Sequence, residues 1–297
     1  MTIYYGPGAT GSGITELIAY LNGVNYPQLI SFETLFTKIF GVIAAVVGNL
    51  CVGKEGPMAH IGANIGAAVA YLPLPKFYHL RNDWQKRELI AAGVSAGVSS
   101  AFGAPVGGAL FAYEMSKPNT FWQFGILWKA FFSCSIAVVV QTIIRKLMTT
   151  GTANEVSAVH ELKFKSTFVD SPDPSTIPAA IILGVICGVL GAFFIYVNTN
   201  LNIKRKKYIT KNWQKLLEVA LFSIATSSAF YWAPSIFKSC ESNEGIASEN
   251  KDLLSRYDCQ EGEHSPIATM FANEELGAIR SIMSAFDGPG GIRIPPY

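Results

Sequence analysis

The apolar stretches of this chain are very unequal in length; they fall at residues 32–52, 57–72, 89–102, 106–115, 121–147, 177–201 and 216–232. A straight helical crossing of a bilayer takes about 20 residues. Several of these stretches are too short for that and are bounded by Gly or Pro, so they read as re-entrant or half-crossing helices. A helix broken at membrane depth leaves backbone N–H groups that lipid cannot satisfy, so its ends must face protein or a hydrated cavity. Short Gly/Pro-interrupted segments therefore point to a transport site. Composition agrees on the solvent: half of the residues are hydrophobic, 15% are charged and the mean hydropathy is +0.30. A soluble domain needs a more polar surface than that. No charged or Ser/Pro-rich linker divides the chain, so the expected architecture is one all-α, polytopic membrane unit.

Other classes are excluded on similar grounds. The formal net charge is +2 and the basic residues lie in short clusters between apolar segments, not along one face or tail, so nucleic acid is not an expected partner. Residues 1–10 lack the basic start, apolar core and cleavage site of a signal peptide, and the chain reads as beginning mid-structure. No nucleophile elbow, phosphate-binding loop or paired catalytic acids occur, so no enzyme activity is expected. His60, His79, His160 and His264 have no metal-ligand spacing, and neither metal nor cofactor is expected. Trp84, Trp122, Trp128, Trp213 and Trp232 lie near segment ends, as membrane-interface anchors do.

Small residues recur at helical spacing, Gly62 with Gly66, Gly93 with Gly97 and Gly184 with Gly188, a pattern that lets membrane helices approach closely. Charge gives an orientation. Arg81, Lys86 and Arg87 occupy one expected inter-helix loop and Lys204, Arg205, Lys206, Lys207, Lys211 and Lys215 another, which the positive-inside tendency places in the cytosol. Four apolar segments lie between the two, an even number of crossings. Cys51, Cys134 and Cys187 sit in apolar segments and read as packing residues. Cys240 and Cys259 bracket a polar loop with Glu241, Glu244, Glu249, Asp252 and Asp258. They are either two free thiols or a disulfide, and a disulfide would place the loop on an oxidising, non-cytosolic side.

Three glycine-rich segments each precede an apolar helical run: 11–16 (Gly-Ser-Gly-Ile-Thr-Glu), 53–57 (Gly-Lys-Glu-Gly-Pro) and 103–108 (Gly-Ala-Pro-Val-Gly-Gly). A helix that starts inside the bilayer aims free N–H groups and its positive dipole end at whatever precedes it, which favours an anion. Ser12 adds a hydroxyl donor, so a halide can be held there without a full positive charge. Glu55 is the anomaly. Its carboxylate either competes with the anion for the same amides, as a gate released by protonation, or is an N-terminal cap with no transport role.

The sequence Gly-Lys-Glu-Gly-Pro-Met-Ala-His at 53–60 resembles the gating-glutamate motif of the CLC chloride channels and transporters, and 11–16 resembles their serine-bearing anion motif. A third match runs from Lys86-Arg87-Glu88 through Ala91-Ala92-Gly93 into Phe102-Gly103-Ala104-Pro105-Val106-Gly107-Gly108 and Phe111. The order and spacing of all three agree, and the similarity extends through His264 to Met283. The cytosolic Lys-Arg stretch, the paired cysteines and residues 265–271 look most like the endosomal and lysosomal branch of that family.

The resemblance implies an inverted-repeat bundle with broken helices, chloride as the ligand, Glu55 as external gate, and an anion site of Ser12, Gly13, Ile14, Gly56, Pro57 and Met58, with the amides of 56–61 lining it. It implies a homodimer at full length, possible association with an accessory subunit, and an endosomal, lysosomal or vacuolar membrane. Serine at the ligand position is the family's chloride-type pattern, as opposed to a nitrate-preferring proline.

The chain departs from the family in three places. Thr15 stands where the anion motif usually has proline. Met115, beside Glu114, replaces the second glutamate that relays protons in the exchangers, and methionine cannot carry a proton, so chloride conduction without proton coupling is expected. Residues 287–297 resemble nothing in the family, which implies residues 1–286 as a partial membrane domain whose second repeat is incomplete, with the cytosolic CBS pair absent. Met115 and this tail carry the competing expectation, a non-transporting partner subunit or an incomplete gene product.

Overall fold

A computed structural model describes residues 2, 4–48, 50, 52–73, 78, 80–116, 124–150, 176–237, 239–243 and 254–273. Cys51, His79, Trp122, His160, Glu244, Glu249, Asp252, part of the 264–283 similarity and the tail 287–297 lie outside the described residues. The described residues are predominantly helical and fall in two compact units, Met1–Glu161 and Leu162–Tyr297.

The first unit opens on a short 3-10 turn, Pro7–Ala9, and continues through α1 (Ile14–Leu21), α2 (Phe32–Val47), α3 (Glu55–Ala70), α4 (Asp83–Phe102), α5 (Pro105–Ser116) and α6 (Phe124–Thr150). Local chemistry sets the boundaries. Ser31, in extended backbone, caps α2 by accepting the Thr34 N–H at 3.2 Å. α4 ends on Gly103 at φ 67°, a left-handed turn, and Pro105 then starts α5 with the fixed φ that suits a first turn. At 1.5 Å per residue the 16-residue α3 is about 24 Å long and the 12-residue α5 about 18 Å, both short of a bilayer's hydrocarbon core.

The core of this unit is built from small residues. Gly62 and Gly66 of α3 lie directly on Gly93 and Gly97 of α4: a methyl group at Gly62 would overlap the Gly93 carbonyl, and one at Gly97 the Met58 carbonyl. The two glycine pairs expected to mediate tight packing thus pack on each other. Around them Leu17, Tyr20, Leu21, Ala59, Ala63, Ala67, Ile90, Val94, Val98, Ala112 and Met115 form one buried cluster. α6 is tied to α4 by Ser133 Oγ donating to Ala92 O at 3.2 Å, Gln141 Nε2 donating to Ser100 O at 2.8 Å, and a Lys129–Glu88 ion pair at 2.7 Å.

The second unit contains α7 (Thr176–Tyr208), α8 (Asn212–Ile236), a two-stranded ribbon of β1 (Glu241–Ser242) and β2 (Glu263–His264), and α9 (Pro266–Ala272). Glu241 pairs with His264 and Ser242 with Glu263, antiparallel. Cys240 and Cys259 are joined by a disulfide that closes this loop. Tyr257 ties the loop to α8 through its hydroxyl on Tyr231 O at 2.9 Å, and Phe230 packs edge-on against Phe271 of α9. Among the described residues three helices are long and apolar enough to cross a membrane, over Gly125–Ile144, Ala180–Tyr208 and Asn212–Ile236.

Two expectations change. Lys86 and Arg87 lie within the first turns of α4, and Lys204 to Lys207 within the last turns of α7, because both helices run past their apolar stretches into the basic clusters; Arg81 stays in the connector before α4 and Lys211 in the one before α8, with Lys215 inside α8. Gly184 and Gly188 are surrounded by open space among the described residues, unlike the α3 and α4 pairs.

Candidate functional site

The glycine-rich loop before α1 is held by its neighbours on either side. Gly6 sits against Thr37 of α2, where a Cβ would come within 2.8 Å of its Oγ1, and Gly8 lies on the Gln28 carbonyl. The loop ends at Gly13, whose φ of 82° belongs to the left-handed region that glycine occupies freely. That conformation places Gly13 directly against the His60 ring of α3, leaving no room for a side chain. His60 is fully buried; its Nε2 lies 2.9 Å from Leu29 O, a contact in which the carbonyl can only accept, so Nε2 carries the proton. His60 Nδ1 is then a buried lone pair without a hydrogen-bond partner. Asn64 completes the brace, donating to His60 O at 3.0 Å and to Leu29 O at 3.4 Å.

This packing joins the starts of α1 and α3. Ser12 and Gly56 are in contact: a Cβ on Gly56 would lie 2.8 Å from Ser12 Cβ and 3.1 Å from Ile14 Cδ1. Ser12 is exposed, and its Oγ accepts only a long 3.4 Å contact from the Ile14 N–H, so the hydroxyl proton is available to a ligand. Glu55 is the first residue of α3 and half-buried. Its carboxylate folds back over Gly53, where a Cβ would stand 2.5 Å from Oε2, so a side chain at 53 would displace it. No side-chain cap bond is made at this helix start.

The donor set is narrower than the 56–61 amides expected from the resemblance. The Met58 N–H is already donated to Lys54 O at 2.9 Å, as the first regular bond of α3, and Pro57 has no N–H. The N–H groups at this helix start without an intrahelical partner are those of Glu55 and Gly56. At α1 the regular bonds begin with Leu17 N–H on Gly13 O at 3.0 Å, which leaves the amides of Ile14, Thr15 and Glu16 at its positive end. Ser12, Gly13, Ile14, Glu55 and Gly56 are therefore brought together, whereas Met58 contributes to packing on Gly97 through its carbonyl.

Met115 and Glu114 occupy the far end of α5. Met115 is 5% exposed, inside the apolar cluster with Leu17, Tyr20 and Leu21 of α1, and its carbonyl accepts from Asn22 Nδ2 at 3.5 Å. Glu114 is exposed and faces away from that cluster, as adjacent helical positions do.

One residue of the site was not singled out from sequence. Lys38 of α2 is 3% exposed and its Nζ donates to Ala9 O at 3.1 Å and Gly11 O at 2.7 Å, the carbonyls just ahead of Ser12. The signal was present: a lysine seven residues into an apolar run is costly in a membrane and marks a functional position.

The family model described as voltage gated chloride channel matches residues 1–286. Chloride channel protein C of Dictyostelium discoideum is 32% identical over 300 residues, covering 96% of this chain and 39% of the relative. The human H(+)/Cl(-) exchange transporter 7 is 34% identical over 295 residues, covering 96% and 35%. Chloride channel protein CLC-d of Arabidopsis thaliana is 32% identical over 305 residues, covering 95% and 38%. The chain thus spans well under half the length of these relatives.

Proposed function

The chain belongs to the voltage-gated chloride channel family, and on that premise we propose that it serves chloride movement across an intracellular membrane, with the ion held at Ser12 and the meeting helix starts of α1 and α3. The observation that carries this reading is the contact of Ser12 with Gly56, one residue from Glu55. A hydroxyl and the orphan amides of two helices converge there without a full positive charge in direct contact, a donor set suited to a weakly hydrated halide. Chloride is bound as a ligand and transported unchanged, so the protein is not an enzyme and uses no cofactor.

Glu55 is the gate. Its carboxylate is an anion tethered beside the amides of its own helix start, so it competes with chloride when ionised and withdraws when protonated. Proton coupling is absent, because the family's relay position is Met115, buried among apolar side chains, and the adjacent Glu114 faces outward. The exchanger name borne by several relatives therefore does not carry over to this chain; chloride flows passively. The transporting form is a homodimer in an endosomal, lysosomal or vacuolar membrane, where an accessory subunit can join it.

Chloride efflux from liposomes tests the reading. The protein is expected to release chloride with no accompanying proton movement, and Glu55→Ala to remove the pH dependence of release. Unchanged pH dependence in that variant defeats the gate assignment. The apolar burial of Met115 also suits a second reading, a non-transporting partner subunit, and absence of chloride release from the full-length protein would select it.

A further inference from the structure

The turn between α7 and α8 carries charge of one sign. Lys204, Arg205, Lys206, Lys207, Lys211 and Lys215 follow one another closely, and no Asp or Glu occurs between Asp173 and Glu218. All six basic side chains are exposed. Glu218 is taken by Arg205 at 2.7 Å, and that pair ties the end of α7 to the second turn of α8, so the basic residues of both helices gather at one end. The five lysines have no carboxylate within ion-pair distance among the described residues. Like charges this close repel one another, so the cluster calls for anions from outside the chain.

The depth of the cluster says where those anions lie. Counted from Ala180, about 20 residues carry α7 through about 30 Å, the thickness of the hydrocarbon core, to Thr199. Lys204 to Lys207 follow about 8–12 Å further along the helix. Lysine and arginine side chains turn back over such a distance to reach the headgroups. Tyr208 and Trp213, 70% and 65% exposed, flank the turn with rings of the kind that settle at a membrane interface. The lipid phosphate layer is therefore the anionic surface within reach. A soluble acidic partner would leave the two rings beside the lysines without a purpose.

We propose that the α7–α8 turn is a binding surface for anionic glycerophospholipids of the phosphatidylserine type, in the leaflet that the turn meets. The five lysines contact the headgroups, and Arg205, held by Glu218, braces the two helix ends that present them. Flexible lysines on two helix ends form no rigid cage, so the surface reads headgroup charge and not headgroup shape. The proposal needs the membrane setting of α7 and α8 and is independent of where chloride binds.

Förster transfer from a fluorophore at Thr210→Cys, exposed in the turn, to acyl-chain-labelled lipids reads the local lipid composition. The full chain is reconstituted in phosphatidylcholine bilayers with trace labelled phosphatidylserine or labelled phosphatidylcholine, and transfer is corrected for labelling of the parent protein. At low salt phosphatidylserine is expected to be enriched at the turn at least about fivefold, the effect of one basic residue at an anionic surface. The enrichment is expected to vanish at about 0.5 M salt, where screening acts within a few ångströms. Equal transfer to both lipids at low salt overturns the proposal however the variants fold. Lys206→Gln with Lys207→Gln leaves four basic residues to keep the orientation and is expected to lower the enrichment severalfold, while Lys206→Arg with Lys207→Arg keeps it. An enrichment unchanged by the glutamines, or one that survives high salt, also overturns it. If neither lipid is preferred but a polyglutamate peptide binds the turn, the partner is an acidic protein segment and the lipid assignment falls. The measurement needs no ion flux, so its failure and that of the chloride reading are told apart.

Discussion

His264 shows how one buried nitrogen makes a loop pH-sensitive. Its Nδ1 lies 2.8 Å from Asn243 Oδ1, an acceptor, so Nδ1 carries the proton, and Nε2 is buried with no partner. Protonating Nε2 would place an N–H in a site that offers it no acceptor. Burial accordingly pushes the imidazole below its ordinary pKa of 6.5, against the pull of Glu241 on the paired strand. The unfolded chain then takes up the proton more readily than the folded one, so this contribution to stability is present above pH 6.5 and is lost as the pH falls below it. The loop around Cys240–Cys259 is expected to become more sensitive to proteolysis at pH 5 than at pH 7.5, and His264→Gln to remove most of that difference. An equal pH effect in the variant would show that other groups cause it. From sequence His264 was legible only as a histidine without metal-ligand spacing, as was His60. Their partners, the Asn243 amide and the Leu29 carbonyl, are 21 and 31 residues away in the chain. No local pattern carries such pairings, whereas the motif residues Ser12 and Glu55 were legible because a hydroxyl or a carboxylate beside glycines at a helix start is unusual on its face.

Among the elements, glycine spacing carried different information at different places. The pairs at 62/66, 93/97 and 184/188 have the same spacing, and spacing alone shows that two small residues share a helix face. It does not show what the face meets. In the first unit the α3 and α4 pairs meet each other through backbone, while the α7 pair meets open space among the described residues. The same substitution should therefore have opposite effects. Gly93→Ala forces a methyl group onto the Gly62 carbonyl and is expected to destabilise by about 1–3 kcal/mol or more, as overpacking a close helix contact does. Gly188→Ala meets nothing within 4 Å and is expected to be neutral or to stabilise by up to about 1 kcal/mol, because alanine is the better helix former. Melting temperatures of the two variants check this; equal losses would mean that α7 is packed as tightly as α4. The helices themselves were legible, since each apolar stretch became one of α2 to α8. Their ends were not, because α4 and α7 continue into basic residues that solvate easily while keeping helical hydrogen bonds.

For the whole molecule the question is which side of the membrane each loop faces, and α8 makes it testable within one unit. Its 25 residues span about 37 Å, more than the hydrocarbon core of a bilayer. The basic turn lies at its start, with Arg205 paired to Glu218 at 2.7 Å, and the Cys240–Cys259 loop follows its end. A single crossing by α8, one of the helices long and apolar enough to make it, would separate the basic cluster from the disulfide. Two independent forces then act in the same sense: the positive-inside tendency holds Lys204 to Lys207 in the cytosol, and the disulfide persists only where thiols are oxidised. In sealed vesicles of known orientation, a cysteine at Lys206→Cys is expected to react with a membrane-impermeant thiol reagent from the cytosolic side. Cys240 and Cys259 should react only after reduction and only from the opposite side. Labelling of both positions from one side would mean that α8 does not cross, and the charge rule would then have to yield to a re-entrant path for this helix.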